Sequence, residues 1–130
     1  MIEFTDNGGA IHSAERIMDI LGTRLNYPGL NHINYLRNYP GAEFSVAALE
    51  AHKRGEKVLV EHVSPLRDFT RRAIAEISNG ISEKEFINYV KKHYRFVLLT
   101  AEETKRLNKM NRSKMKINRL EEAGIEIKKV

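Results

Sequence analysis

Apolar residues in the first half of the chain recur with the spacing of helices. Ser13 is placed to cap a helix over about 14–25. The side chains expected to form its buried stripe are Ile17, Ile20 and Leu21. A second helix is predicted over 43–54, because Gly55 can take the left-handed conformation that ends a helix.

The second half alternates between short apolar runs and helical segments. Strands are predicted over 57–63 and 94–99, because both runs are short and apolar. Capping boxes that begin at Ser82 and Thr100 predict the starts of two helices. The other expected elements are a helix over 66–78 in which Phe69, Ala73, Ile74 and Ile77 form one face, a short helix over 114–123 and an edge strand at 125–127. The pattern predicts a helix-rich α+β fold with a small sheet, in a single domain over 1–130.

Two turns and three tyrosines lie between the first two predicted helices. Pro28-Gly29 and Pro40-Gly41 suit type II turns, in which glycine takes the positive φ. Tyrosines in such a loop can stack on bases, and they also commonly fill the edge of a core with the hydroxyl in water. We interpret Tyr27, Tyr35 and Tyr39 as structural, and as substrate contacts at most.

Composition excludes several classes of protein. The chain has no cysteine, so disulfides and cysteine-ligated metal sites are excluded. No apolar run approaches the roughly 18 residues that span a bilayer, so no membrane partner is expected. The first twenty residues contain Glu3, Asp6, Glu15 and Asp19, which is not typical of a signal peptide. A cytoplasmic location is therefore expected.

Positive charge is concentrated in the later part of the chain. Residues 1–50 hold three basic and six acidic side chains, whereas residues 51–130 hold nineteen and eleven. A dense basic surface suits a polyanion, because each neutralised phosphate releases a counterion. The residues expected to contact nucleic acid are Arg67, Arg71, Arg72, Lys105, Arg106, Lys109, Arg112 and Lys114. An acidic partner protein would suit the same surface.

His62 is the main candidate for chemistry. It ends an apolar strand, and an arginine-rich helix follows. Because side chains alternate along a strand, Val60 and His62 share one face and Glu61 points to the other. Imidazole titrates near neutral pH, which suits a proton-transfer residue. The alternative is a histidine whose ring is satisfied by backbone at the strand end.

Glu-His-Val-Ser-Pro at 61–65 resembles the first histidine segment of HNH-type endonucleases. The run at 95–105 resembles the strand-to-helix step of that family in its hydrophobic pattern, although the family's final histidine would fall near Glu103 or Thr104. The resemblance implies that His62 is the general base that activates water. It also implies that Glu61 or Glu103 is an oxygen ligand for Mg²⁺.

A metal-free scheme remains open beside that resemblance. RNA is cleaved by its own 2′-hydroxyl when a base, an acid and a cation are supplied. His62 and His93 are candidates for the proton transfers, although His93 also suits a helix C-terminus. The candidates for the cation at phosphorus are Arg95, Arg67, Arg71 and Lys105. In size, charge and lack of cysteine, the chain resembles small RNases of bacterial toxin systems.

These features lead to the hypothesis of a small intracellular nuclease of toxin or mobile-element type, with RNA favoured over DNA. Its cofactor would be Mg²⁺ in the metal scheme and none in the 2′-hydroxyl scheme. One rival is a non-catalytic regulator or inhibitor that binds nucleic acid or an acidic protein. Another is a subunit whose basic surface docks on an acidic partner in a larger assembly.

Overall fold

Four short strands form one mixed sheet. The computed structural model describes residues 8–109 and 119–130. The strands are β1 (Glu43–Ser45), β2 (Leu59–His62), β3 (Phe96–Leu99) and β4 (Ile127–Lys129), in the order β2-β3-β1-β4. β2 runs antiparallel to β3, β1 runs parallel to β3, and β4 runs antiparallel to β1. The register pairs His62 with Phe96, so these two side chains lie on the same face of the sheet.

Helices pack on both faces of this sheet. They are α1 (Gly8–Asn26), α2 (Val46–Lys53), α3 (Leu66–Ser78), α4 (Glu83–His93), α5 (Ala101–Lys109) and α6 (Arg119–Glu122), with a 3₁₀ helix at Ile33–Asn38. The predicted helix-rich α+β architecture with a small sheet is confirmed. The helix expected over 114–123 lies partly outside the described residues. In the part of the chain that the structure describes, no helix is both long and apolar enough to cross a membrane.

The strand β3 separates two layers of core. Phe96 and Leu98 pack with the layer that contains α1, α3 and α4. Val97 and Leu99 pack with the opposite layer, which contains α5 and α6. All four of these side chains are buried. Because His62 shares the face of Phe96, its imidazole lies in the α1 layer, on the other side of the sheet from α5.

The segment 43–45 is a strand, so the predicted helix over 43–54 was wrong at its start. Phe44 is buried, and its strand is bonded to both β3 and β4, which overrides the local helical pattern. Ser45 then caps α2, because its hydroxyl accepts a hydrogen bond from the Ala48 amide at 2.9 Å. The helix ends as predicted, with Gly55 at a φ of 76°.

The helix α1 is longer than predicted, and it buries a different face from the predicted one. It begins at Gly8, so Ser13 lies inside the helix and is not its cap. Ile17 and Ile20 are 62% and 49% exposed, so the prediction that they are buried was wrong. The buried stripe consists of Ile11, Ala14 and Met18. Both stripes have helical spacing, and the sequence pattern alone does not distinguish them.

The predicted capping boxes are confirmed by their hydrogen bonds. The Ser82 hydroxyl accepts from the Glu85 amide, and the Glu85 carboxylate accepts from the Ser82 amide. Thr100 and Glu103 exchange the equivalent bonds at the start of α5. In α3, the predicted apolar face is buried at Phe69 and Ala73, whereas Ile77 in the last turn of that helix is 52% exposed.

Candidate active site

His62 pairs with a carboxylate that the sequence analysis did not single out. It is the last residue of β2, and its Nε2 lies 3.0 Å from Oδ1 of Asp19 in the middle of α1. The side chain of His62 is 27% exposed and that of Asp19 is 43% exposed. The imidazole is therefore oriented by a side-chain carboxylate, not by backbone, and it remains within reach of solvent.

Tyr94 completes the arrangement around Asp19. Its hydroxyl donates to the same Oδ1 of Asp19 that accepts from His62. The rings of Tyr94 and Phe96 both meet the His62 ring at steep angles, with centroids 5.6 and 5.0 Å away. The Thr23 hydroxyl lies 2.9 Å from the Tyr94 oxygen and 2.8 Å from the Asp19 carbonyl oxygen. These contacts hold the carboxylate and limit the rotation of the imidazole.

Gly22 allows α1 to come close enough for this pairing. A Cβ at this position would lie 2.3 Å from ring carbons of Tyr94, which is inside van der Waals contact. The absence of a side chain lets the backbone of α1 rest on the Tyr94 ring. Asp19 lies one turn earlier on the same helix, and the close approach brings its carboxylate to His62.

The hydrogen bonds at Asp19 fix the ionisation of the group. The bond from His62 holds the pKa of the Asp19 carboxyl below its usual range, against the opposing effect of burial. Burial and the bond to Asp19 raise the pKa of Tyr94, so its phenol stays protonated. An anionic Asp19 that accepts from Nε2 leaves Nδ1 as the basic nitrogen of His62. Nδ1 has no hydrogen-bond partner among the described residues.

A cleft of about 470 Å³ opens beside the pair. Asp19 and Phe96, which both contact His62, form part of its lining. Its other apolar walls are Ile20, Leu30 and Ile33. Arg24 and His32 bring polar groups to the same cleft. Asp19, the partner of His62, therefore lines a concave surface with apolar walls and a cation, which is typical of a site for a small organic group.

Glu61 lies on the opposite face of β2, as alternation predicts. Burial raises the pKa of Glu61, and its polar neighbours there are Arg119 and Asn108. The buried Arg119 guanidinium donates to the carbonyl oxygens of His62 and Val63 at 3.2 and 3.0 Å. Glu61 and His62 therefore belong to two different environments and do not form a dyad.

The carboxylate of Glu103 is occupied by hydrogen bonds within the fold. It is buried, and it accepts from the Ser45 hydroxyl and from both the amide and the hydroxyl of Thr100. It lies on the α5 side of the sheet, away from the His62 imidazole. Among residues 8–109 and 119–130, no group of three or more histidine, aspartate or glutamate side chains is placed to hold a metal ion.

His93 and Arg95 have partners away from the His62 imidazole. The His93 ring lies 4.9 Å from that of Tyr89 between centroids, and burial lowers the pKa of His93. Arg95 donates two hydrogen bonds to the carboxylate of Glu43, at 2.8 and 2.6 Å. The contacts of His62 are with Asp19 and two aromatic rings, so the structure does not bring these three candidates into one site.

The predicted nucleic-acid-binding residues that the structure describes lie on two helices, α3 and α5. On α3, Arg67 pairs with Glu15 at 3.1 Å and Arg72 pairs with Asp68 at 3.1 Å, and the side chains of Arg71 and Arg72 are both exposed. On α5, the side chains of Lys105, Arg106 and Lys109 are exposed, on the face of the sheet opposite His62. Arg112 and Lys114 lie outside the described residues.

Sequence reasoning missed Asp19, Thr23 and Tyr94. Asp19 and His62 are 43 positions apart, and no local pattern links them. One signal was available, because polar residues recur on α1 with helical spacing at 12, 15, 19 and 23, beside the buried stripe. A second signal was Gly22, since a glycine inside a helix often marks a close approach.

Comparison of the chain with known proteins identifies no related protein. No family model, no curated protein and no solved structure matches the chain. The His62–Asp19 pair and the cleft lined by Asp19 are therefore the features of the molecule that bear on function.

Proposed function

We propose that the protein cleaves RNA by activating its 2′-hydroxyl, with His62 as the general base. The observation that carries this proposal is the 3.0 Å bond between His62 and Asp19 at a solvent-reachable cleft. The bond leaves Nδ1 of His62 as the basic atom, and the anionic Asp19 stabilises the imidazolium that forms when Nδ1 takes up a proton. Tyr94 and Gly22 keep the pair aligned.

Two polar side chains of the cleft are candidates to bind the phosphate of the substrate. His32 accepts a hydrogen bond from the Asn34 amide through Nδ1 at 3.1 Å, so its Nε2 is the nitrogen that carries a proton. His32 is exposed, and the Nε2–H of its neutral ring is a candidate hydrogen-bond donor to the phosphate. The Arg24 guanidinium is the candidate cation for the charge that develops on the phosphate.

The reaction is a transfer within the substrate. Nδ1 of His62 removes the 2′-hydroxyl proton, and the 2′-oxygen attacks phosphorus and forms a cyclic phosphate. The bond from phosphorus to the 5′-oxygen breaks, and that oxygen receives a proton from water, while the imidazolium of His62 returns its proton to solvent. DNA lacks the attacking hydroxyl, so the scheme is specific for RNA. A compact enzyme of this kind would fit the toxin or mobile-element role.

The metal-free scheme is favoured over the magnesium scheme by the placement of carboxylates. Glu61 and Glu103 lie on the α5 side of the sheet, and Glu103 already accepts three hydrogen bonds. The carboxylate that does meet His62 is Asp19, and it accepts from two protein donors. Its role is to orient the base.

The test is cleavage of labelled RNA and of matched DNA, each with Mg²⁺ and with EDTA. His62→Ala is expected to lose about 10²-fold or more in turnover, because general base catalysis contributes that much. Asp19→Asn is expected to lose at least about tenfold, because the imidazole loses its anionic partner. His12→Ala is the matched control, since His12 is a 70% exposed histidine on the same helix as Asp19. Equal turnover in His62→Ala and His12→Ala would reject the proposal.

A binding module is the rival function that one observation favours. Lys105, Arg106 and Lys109 form an exposed basic face on α5 that has no connection with the His62 site. If binding alone were the function, His62→Ala would change only stability, and charge reversal on α5 would remove nucleic-acid affinity. RNA turnover that depends on His62 would reject this rival.

A further inference from the structure

Basic side chains from elements that are distant in sequence line a second cleft. It has a volume of about 500 Å³ and lies between the end of α4, the turns at 28–29 and 40–41, and β4. Lys91 and Lys92 come from the last turn of α4, and Lys129 comes from the edge strand β4. We call it the lysine cleft after these three residues. It lies apart from the basic face of α5, which the sequence analysis favoured.

The charges that face this cleft do not cancel. Its acidic lining residue is Glu43, which is held by the two hydrogen bonds from Arg95. Lys91, Lys92 and Lys129 form no salt bridge with any of the described residues. Three exposed ammonium groups therefore face one concave surface, and such a surface concentrates the field that attracts an anion.

Helix capping explains only part of this cluster. Lysines in the last turn of α4 would be favourable in any protein, because the C-terminal end of a helix is negative. The amide of Asn26 already donates to the carbonyl oxygens of Lys91 and Tyr94 at that end, at 3.1 and 2.6 Å. Lys129 belongs to a different element, so capping does not account for its convergence on the same surface.

Tyrosine rings line the same cleft. Tyr27 and Tyr39 meet edge to face with centroids 5.8 Å apart, and both are partly exposed. The hydroxyl of Tyr39 donates to the Pro28 carbonyl at 2.8 Å, which fixes the ring against the first turn. Ammonium groups beside aromatic rings are the combination that binds single strands, because phosphates take the charge and bases stack on the rings.

The lysine cleft is joined to the candidate active site through Tyr94. Tyr94 is one of the residues that line the lysine cleft, and its hydroxyl donates to Asp19 of the candidate active site. We propose that the lysine cleft binds the sugar-phosphate backbone of single-stranded RNA and leads the strand to His62. The assignment of this RNA as substrate rests on the proposed nuclease function, while the binding itself does not.

The experiment measures binding without turnover. Fluorescence anisotropy would follow a labelled single-stranded RNA of about 10 nucleotides, a length in the range of known single-strand sites. The protein would carry His62→Ala throughout, so cleavage does not affect the reading. Against this background, the variant Lys91→Ala/Lys92→Ala/Lys129→Ala would be compared with a matched control, Lys53→Ala/Lys57→Ala/Lys84→Ala. The control removes the same charge from exposed positions outside the cleft.

The cleft variant is expected to bind at least about tenfold more weakly than its background at low salt. The slope of log affinity against log salt should fall by about 2, since each single-strand phosphate contact contributes about 0.7. The control should retain the slope. Thermal unfolding of both variants would show that the change is not a loss of folding, because all six lysines are exposed.

Three results would overturn the inference. One is an equal loss of affinity in the cleft variant and the control, which would mean that only net charge matters. Another is retention of binding in the cleft variant, with loss on substitution of Lys105, Arg106 and Lys109. The third is competition by polyglutamate as strong as by unlabelled RNA, which would indicate an acidic protein partner. Absence of cleavage by the wild-type chain would reject the nuclease proposal and leave this binding result unaffected.

Discussion

One ring nitrogen of His62 is hydrogen-bonded and the other is available to a substrate, and this difference is the chemical basis of the proposed function. Nε2 is bound to Asp19, and two aromatic rings limit how the ring can turn. A buried polar group needs a hydrogen-bond partner within the fold. His62 is 27% exposed instead, and Nδ1 has no partner among residues 8–109 and 119–130.

The state of Asp19 can be tested through stability. Its pKa is lowered in the folded chain, chiefly by the hydrogen bond from His62, below the ordinary value of 3.8. The ionised Asp19 carboxylate therefore stabilises the fold fully at pH values above 3.8. This stabilisation is lost as pH falls through the lower pKa that Asp19 has in the folded chain. We expect wild type to exceed Asp19→Asn in free energy of unfolding at about pH 5, with the difference shrinking towards about pH 2. Chemical denaturation at a series of pH values measures this, and a constant difference would contradict it.

At the scale of elements, the contact between α1 and Tyr94 decides how the first helix is placed. Two apolar stripes on α1 have helical spacing. The stripe that was predicted to be buried contains Ile17 and Ile20, which are exposed. The choice depends on Gly22, where the approach of the Tyr94 ring leaves no room for a Cβ. The contact joins residues more than seventy positions apart, so periodicity within the helix did not reveal it.

Gly22→Ala tests this contact. In an exposed helix position, replacing glycine by alanine stabilises by up to about 1 kcal/mol. Here we expect destabilisation by about 1–3 kcal/mol, because the new methyl group would overlap the Tyr94 ring. In a Tyr94→Leu background the cost of Gly22→Ala should be smaller, which a double-mutant cycle measured by denaturation would show. Stabilisation by Gly22→Ala in the wild-type background would mean that α1 does not rest on this ring.

The capping box of α5 also acts as a contact between elements. Glu103 accepts from Thr100 and from Ser45 of β1, and it is buried. We expect Glu103→Ala to destabilise the fold by about 2–3 kcal/mol, because it leaves buried donors unpaired. Glu102→Ala, at the exposed neighbouring position, should stay within about 0.5 kcal/mol of wild type in the same denaturation experiment. Equal effects of the two substitutions would contradict this role.

The local signals in the sequence were sufficient for much of the fold. The capping boxes at Ser82 and Thr100, the positive φ at Gly55 and the alternation along β2 each follow from a few neighbouring residues. The strand β1 was missed because its identity comes from pairing with β3 and β4, on either side of it. The partner of His62 was missed for the same reason, since a carboxylate on α1 reaches it only after the helix has packed.

At the scale of the whole molecule, the sheet separates two chemical surfaces. One face carries the His62–Asp19 pair with its cleft, and the lysine cleft adjoins it through Tyr94. The other face carries the buried carboxylate of Glu103 and the basic surface of α5. Net charge along the chain indicated a polyanion partner, but it could not show that two basic surfaces lie on different sides of the fold.

The most direct test of the central claim is the identity of the product formed from RNA. Wild-type protein would be incubated with a labelled RNA oligonucleotide in EDTA, beside a copy with a single 2′-deoxy sugar at the cleavage position. We expect a cyclic phosphate end from the RNA, no cleavage at the deoxy position and at least about 10²-fold slower formation of product by His62→Ala. A product with an ordinary phosphate end, formed only with Mg²⁺ and unchanged in His62→Ala, would contradict the account.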